Sequence, residues 1–160
     1  MELYNKLLQG IVKTCKSLCT ILLTAMSLVV FLNVIVRFVF KSSIAWSEEI
    51  ARYLLVWTVY LGTITAFYNN EHLELNIITA KLKGKSKKVI TIISSLVVIS
   101  VLVLMTYYGF EFSFSSMDWP SPATRIPHGA VYIIAPISTL IMLLMSLLKL
   151  TIVIREGENS

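Results

Sequence analysis

The chain has 160 residues, of which 56% are hydrophobic and only 14% carry a formal charge, with a net charge of +5. An ordinary soluble domain contains about 25% charged residues, so this composition argues against a water-soluble globular protein. The basic residues sort into loops and tails and form no recognition helix, which argues against a nucleic-acid partner.

Long runs without Asp, Glu, Lys, Arg or His make up about half of the chain: 17–36, 53–70, 89–110 and 129–148. Each has about the 20 residues that a helix needs to cross the roughly 30 Å hydrocarbon core of a bilayer. The sequence therefore predicts an all-α membrane protein, a single domain over residues 1–160 with four transmembrane helices. The expected spans are approximately 17–40, 50–70, 89–112 and 128–153.

The first span follows a short amphipathic lead-in, residues 1–16, which we expect to lie on the inner leaflet. The apolar run is too long for a signal peptide and no cleavage site follows it, so the span is predicted to be retained. Cys15 and Cys19 lie near its start, four residues apart. That spacing fits neither redox nor zinc motifs, so buried or interfacial free thiols are favoured over a metal or redox pair.

The distribution of basic residues predicts the orientation. Because basic residues are retained in the cytoplasm, both termini and the loop after the second span should face inward. Ten basic residues fall on this side, and the lysine-rich loop is expected to touch anionic lipid. They are Lys6, Lys13, Lys16, Lys81, Lys83, Lys85, Lys87, Lys88, Lys149 and Arg155.

The connection from Lys41 to Glu49 leads into the second span. Ser47 is predicted to cap this helix, and the segment is a candidate interfacial helix before the span. Within the span, Thr58, Gly62 and Ala66 form a stripe of small residues at helical spacing. Such a stripe predicts a close helix–helix contact, with a partner inside or outside this chain, although small residues are common in membrane helices.

The loop before the fourth span, from Glu111 to His128, contains three prolines and is predicted to be extended or turned. Trp119 in this loop is an expected interfacial anchor. Within the fourth span, Pro136 should kink the helix and free a carbonyl for another partner. His128, like His72 beyond the second span, has no metal-binding neighbours in sequence, so hydrogen bonding at a helix end is the favoured role.

A polar cluster flanks the first connection. Asn33 and Arg37 share a helix face near the end of the first span, and Glu48 and Arg52 do so at the start of the second. Arg37 paired with Glu48 or Glu49, beside an anchoring Trp46, would fix the first two helices. The alternative is that Arg37 snorkels to the headgroups and the glutamates are solvated. Neither arrangement supplies a catalytic residue, a cofactor site or a metal site.

These pieces resemble the small (Q-type) membrane subunit of tripartite ATP-independent periplasmic (TRAP) transporters. The resemblance rests on Asn33 to Arg37, on Trp46-Ser47-Glu48-Glu49 with Arg52, on His72 to Asn76, and on Ser121 to Pro127. It covers nearly the whole chain. Two positions depart from the family pattern: Asn76 stands where Asp is frequent, and Arg125 stands where Gly is common.

The resemblance implies a scaffold that forms a stable complex with a large membrane subunit, which carries substrate and sodium by an elevator-like motion. A periplasmic binding protein would deliver a carboxylate, such as sialic acid or a C4-dicarboxylate, and contact the complex transiently. Interface residues would be Asn33, Arg37, Trp46, Glu48, Glu49, Arg52, Gly62, His72 and Arg125. The alternative is a self-sufficient four-helix transporter, which would need an ionisable residue at membrane depth that these runs lack. An enzyme is less favoured still.

Overall fold

The computed structural model describes residues 2–42, 44–70 and 85–156. They form four long helices and one short one: α1 (Glu2–Phe40), α2 (Ala45–Asn70), α3 (Lys85–Ser115), α4 (His128–Tyr132) and α5 (Ile134–Glu156). Four stretches are long and apolar enough to cross a membrane: Leu8–Phe40, Ala45–Asn69, Val89–Ser115 and His128–Thr151. The predicted all-α fold with four membrane-spanning helices is confirmed.

The first helix is longer than predicted. It runs without a break from Glu2 to Phe40, 39 residues, which corresponds to about 58 Å. The expected lead-in is thus part of the same helix as the span. Its apolar side chains Leu8 and Val12 pack against a buried cluster that includes Cys15 and Ile64. This segment therefore packs against the protein and not only against lipid.

The helices are arranged as two hairpins that lie side by side. The first helical hairpin consists of α1 and α2, and the second consists of α3 with α4 and α5. Extensive contacts join α1 to α2, α2 to α5, and α5 to α3. Within the described ranges, this gives a row in the order α1, α2, α5, α3. The span that contains α4 and α5 is the most buried of the four, with 44% of its apolar window buried against none of the α1 window.

Two helix boundaries differ from the prediction. The second helix begins at Ala45, two residues before the predicted cap; Ser47 is buried inside it and its hydroxyl donates back to the Ile44 carbonyl at 2.7 Å. The third helix continues to Ser115, so the loop to the fourth span is only residues 116–127. The prediction that Ser47 caps α2 is therefore wrong. The helix begins two residues earlier, after Ile44, whose amide donates a hydrogen bond to Asn33 of α1.

The fourth span is interrupted at Ile133, between α4 and α5, three residues before the buried Pro136, where the sequence predicts a kink. Proline has no N–H to give to the carbonyl four residues earlier, that of Tyr132, which weakens the helix at this point. Gly109 of α3 lies against the Pro136 ring: a Cβ built on it would be 3.1 Å from the proline Cβ. The interruption of the fourth span therefore lies beside a close contact between α3 and α5.

Candidate functional site

Glu49, on the first turns of α2, is the centre of the polar structure at one end of the row. We call this end, where Lys41, Ser42, Ile44 and residues 116–127 lie, the loop end. The Glu49 carboxylate accepts four hydrogen bonds from the 116–127 loop. Oε2 accepts from the Ser121 hydroxyl, from the Thr124 amide at 2.9 Å and from the Thr124 hydroxyl at 2.9 Å, and Oε1 accepts from the Ala123 amide at 3.0 Å. This set is called the Glu49 clasp.

The 116–127 loop is also stabilised by hydrogen bonds within itself. The Ser121 amide donates to the Ile126 carbonyl at 3.0 Å, and the Arg125 amide donates to the Ser121 carbonyl at 3.1 Å. Pro120 and Pro127 face each other as an isolated β-bridge where the loop begins and ends. The predicted turn structure is therefore confirmed, and it aims two backbone amides and two hydroxyls at one point.

Arg125 explains part of the loop's sequence. Its φ of 57° lies in the left-handed region, which glycine adopts without strain and other residues adopt at a cost of about 1 kcal/mol. Its side chain is exposed. Glycine is thus the residue that this backbone favours, and the arginine is tolerated here because the loop's other bonds fix the turn.

The connection of the first hairpin is fixed by Asn33. The Asn33 side-chain oxygen accepts a hydrogen bond from the Ile44 amide at 3.1 Å, across eleven residues. This bond binds the end of the connection back onto α1. It places the start of α2 next to the loop end of α1, beside the clasp, so Asn33 links the first two helices through this bond.

Two further contacts join the hairpins near the loop end. The Trp57 indole N–H donates to the Val131 carbonyl at 3.1 Å. The Tyr53 ring meets the His128 ring edge to face, with centroids 6.3 Å apart. His128 itself bonds at the end of the loop, because its backbone N–H donates to the Trp119 carbonyl and its Nδ1 lies 2.8 Å from the same oxygen. The predicted helix-end role of His128 is confirmed.

The expected ion pair between Arg37 and Glu48 or Glu49 is not formed. All three side chains belong to the described part of the chain, yet no nitrogen of Arg37 lies within ion-pair distance of either carboxylate, and Arg37 and Glu48 are exposed. The physical reason is that loop donors already surround the Glu49 carboxylate, which leaves Arg37 to solvent or headgroups. The pairing is corrected: the partner of Glu49 is the 116–127 loop.

The other predicted interface residues have different environments. Trp46 and Arg52 are exposed at the loop end. Gly62 has open space: a Cβ built on it would meet no atom within 4 Å. Among the described residues, no other helix approaches Gly62 closely, although Thr58 on the same stripe is buried. His72 lies outside the described residues.

Sequence reasoning missed the residues that complete the clasp, Ser121 and Thr124, and the ties made by Trp57 and Gly129. Gly129 is packed so closely that a Cβ would lie 2.2 Å from the Ser113 carbonyl oxygen. A signal was present in the loop, since hydroxyl residues flanking Pro-Ala in a turn offer several donors to one acceptor. No pattern in the sequence pointed to Glu49 as that acceptor, 72 residues away.

The interior of the helical row offers hydroxyls and thiols rather than charges. Thr106 of α3 and Thr139 of α5 are joined by a hydrogen bond of 2.9 Å between their hydroxyl oxygens. Cys15 is buried, and the Cys19 thiol lies 3.5 Å from the Thr58 carbonyl, so both are free thiols in the α1–α2 contact. Among the described residues, no group of three His, Cys, Asp or Glu side chains is placed to hold a metal ion.

Comparison with known proteins adds the family. Residues 26–156 match the model of the DctQ component of tripartite ATP-independent periplasmic transporters. A Haemophilus influenzae protein named TRAP transporter small permease protein is 30% identical, covering 91% of this chain and 92% of its own length. The Sialic acid TRAP transporter permease protein SiaT of the same species is 25% identical over 79% of this chain. The Isethionate TRAP transporter permease protein DctMQ of Oleidesulfovibrio alaskensis is 24% identical over 58%. This chain covers only 21% of SiaT and 15% of DctMQ.

Proposed function

Because the chain belongs to the DctQ family of TRAP transporter small permeases, we propose that it is the scaffold subunit of a sodium-coupled system for small organic anions. The family is one of transporter permease subunits of the inner membrane rather than of enzymes. The proposed substrates are carboxylates, such as sialic acid or a C4-dicarboxylate. The chain would support a large membrane subunit and bind no substrate itself.

The observation that carries this proposal is the chemistry of the spans. The runs 17–36, 53–70, 89–110 and 129–148 contain no Asp, Glu, Lys, Arg or His side chain. Transport of an anion with sodium requires oxygen ligands or charges near the membrane midplane, and a protein that carries such a solute normally places ionisable residues there. The lack of such residues supports a solute path supplied by a neighbour and disfavours the self-sufficient transporter.

The exposed helices supply surface for that neighbour. None of the apolar window of α1 is buried within the chain, and Phe31 and Phe38 are 62% and 80% exposed. Lipid alone can cover such a surface, so exposure does not identify the interface. What favours a protein neighbour is the relative named DctMQ, in which this chain matches a small fraction of a much longer permease protein.

The proposed orientation puts the loop end on the periplasmic side. Four basic residues, Arg37, Lys41, Arg52 and Arg125, lie at that end, against ten basic residues assigned to the other side of the membrane. This asymmetry favours cytoplasmic termini. The loop end would then meet the periplasmic binding protein.

Thiol labelling tests this orientation. A cysteine introduced at exposed Ala123, in a chain without Cys15 and Cys19, should react with a membrane-impermeant thiol reagent added outside.

Reconstitution in liposomes tests the function. The chain alone, the large subunit alone and both together are each supplied with the binding protein, a sodium gradient and labelled sialic acid, C4-dicarboxylate or isethionate. We expect sodium-dependent uptake of one of these anions only when both membrane subunits are present. Uptake by this chain alone would refute the scaffold role, and full uptake by the large subunit alone would show that no scaffold is needed.

Photocrosslinking tests the contact separately from transport. Benzoylphenylalanine is placed at exposed Phe31 on α1, at exposed Phe112 on α3, or at Met145, which is 1% exposed and serves as the internal control. We expect a crosslink to the large subunit from at least one exposed position and none from Met145. If neither exposed position gave a crosslink in a complex that still copurifies, a partner on either edge of the row would be contradicted.

A further inference from the structure

The Glu49 clasp has the composition of a receptor for a carboxylate. Its donors are two backbone amides and two hydroxyls within one stretch of four residues, Ser121 to Thr124, and all four converge on one carboxylate. Ser121 is only 2% exposed. Hydrogen bonds to an ionised acceptor are shorter and about twice as strong as those between neutral groups, so donors so placed favour a carboxylate over an amide or water.

The receptor does not depend on Glu49 for its shape. The bonds from the Ser121 amide to Ile126 and from the Arg125 amide to Ser121, together with the Pro120–Pro127 bridge, close the loop upon itself. The Trp119 carbonyl and His128 fasten it to the start of α4. None of these contacts involves α2, so the donors remain in position when the carboxylate is withdrawn.

The carboxylate that occupies the loop comes from the other helical hairpin. Glu49 projects from α2, and its donors lie between α3 and α4, so occupation of the loop joins the two hairpins at the loop end. Trp57 to Val131 is the neighbouring polar tie between them, about two turns further along α2.

We propose that residues 121–124 form a carboxylate-binding site whose resident ligand is Glu49, and that a free small carboxylate binds there when the Glu49 side chain is shortened. Truncation to alanine removes a carboxymethyl group, which acetate matches in size and charge. The site is an anion receptor used as an internal clasp, and this inference does not depend on the transport role.

The test uses the full chain in detergent micelles and the midpoint of its thermal unfolding. Glu49→Ala should have a lower midpoint than wild type in sodium chloride. Sodium acetate at the same sodium concentration should recover most of that loss, whereas wild type should show no difference between the two salts. Glu48→Ala is the matched control, because Glu48 is the exposed neighbouring acid; its midpoint should be the same in both salts.

Two more variants make the test specific. In Glu49→Gln the amide fills the space, so we expect a lowered midpoint without recovery in acetate. In Glu49→Ala combined with Ser121→Ala and Thr124→Val, two donors are lost and the acetate effect should shrink. Equal midpoints of Glu49→Ala in acetate and chloride would overturn the proposal. If that variant folds in neither salt, Glu49→Gln decides, and a midpoint equal to that of wild type would overturn it.

Discussion

Gly129, the second residue of α4, offers a direct test of how α4 is packed against α3. A Cβ built at this position would lie 2.2 Å from the Ser113 carbonyl oxygen, 2.8 Å from the Met117 amide nitrogen and 3.0 Å from the Met117 Cγ. Two of the three obstacles are backbone atoms, one near the end of α3 and one in the loop that follows it. They cannot rotate away as a side chain does, so Gly129→Ala must separate α4 from α3.

The magnitude follows from what that separation breaks. Overpacking by one methyl group costs about 1–3 kcal/mol. The hydrogen bond from the Gly129 amide to the Ser116 carbonyl, 3.0 Å long, would be lost as well, at about 1 kcal/mol. Together these give a loss of about 2–4 kcal/mol in the free energy of unfolding, a factor of about 30 to 1,000 in the folding equilibrium.

The assay is reversible unfolding of the purified chain in mixed detergent micelles with increasing denaturing detergent, followed by circular dichroism. Gly62→Ala is the matched control, because a Cβ there meets no atom within 4 Å and alanine is favoured over glycine in a helix. The isolated chain should tolerate it without loss. A Gly129→Ala variant as stable as wild type, or a Gly62→Ala variant equally destabilised, would refute the packing described for α4.

Three smaller predictions use the same assay. Trp57→Phe removes the N–H that bonds to the Val131 carbonyl and should lower the free energy of unfolding by about 1 kcal/mol; an unchanged value would show that the contact is not stabilising. Asn33→Ala should cost about 0.5–1.5 kcal/mol, whereas Asn33→Asp keeps the oxygen that accepts from the Ile44 amide and should cost less; the reverse order would contradict that acceptor role. Arg125→Gly should stabilise the chain by up to about 1 kcal/mol by relieving the left-handed backbone, and a loss of stability would indicate that the arginine side chain holds the loop.

The fold was accessible from the sequence because its signal is local. Four long runs without Asp, Glu, Lys, Arg or His predict four spans, and Pro136 alone predicts a break near Ile133. The helix ends were less predictable. Ala45 starts α2 because a side chain from another helix, Asn33, binds the amide of Ile44, and no propensity at residues 44–47 reports that contact.

The candidate site was predicted only in part, for a related reason. Glu49 was identified, but its partner was sought nearby in sequence, at Arg37. The donors are instead supplied from 72 to 75 residues away, and two of the four are backbone amides whose direction depends on the loop's fold. Side-chain identity can suggest a charge pair between adjacent helices, as it did for Arg37. It does not predict in which direction a turn points its N–H groups.

The row in which α1, α2, α5 and α3 follow one another has a consequence for permeation. Among the described residues, such a row is one helix thick and has two broad faces. Any molecule that moved along it would be bounded by this chain on one flank and by something else on the other. The chain can therefore form only one side of such a path. Whatever lies opposite determines whether the space between them is apolar, hydrated or closed.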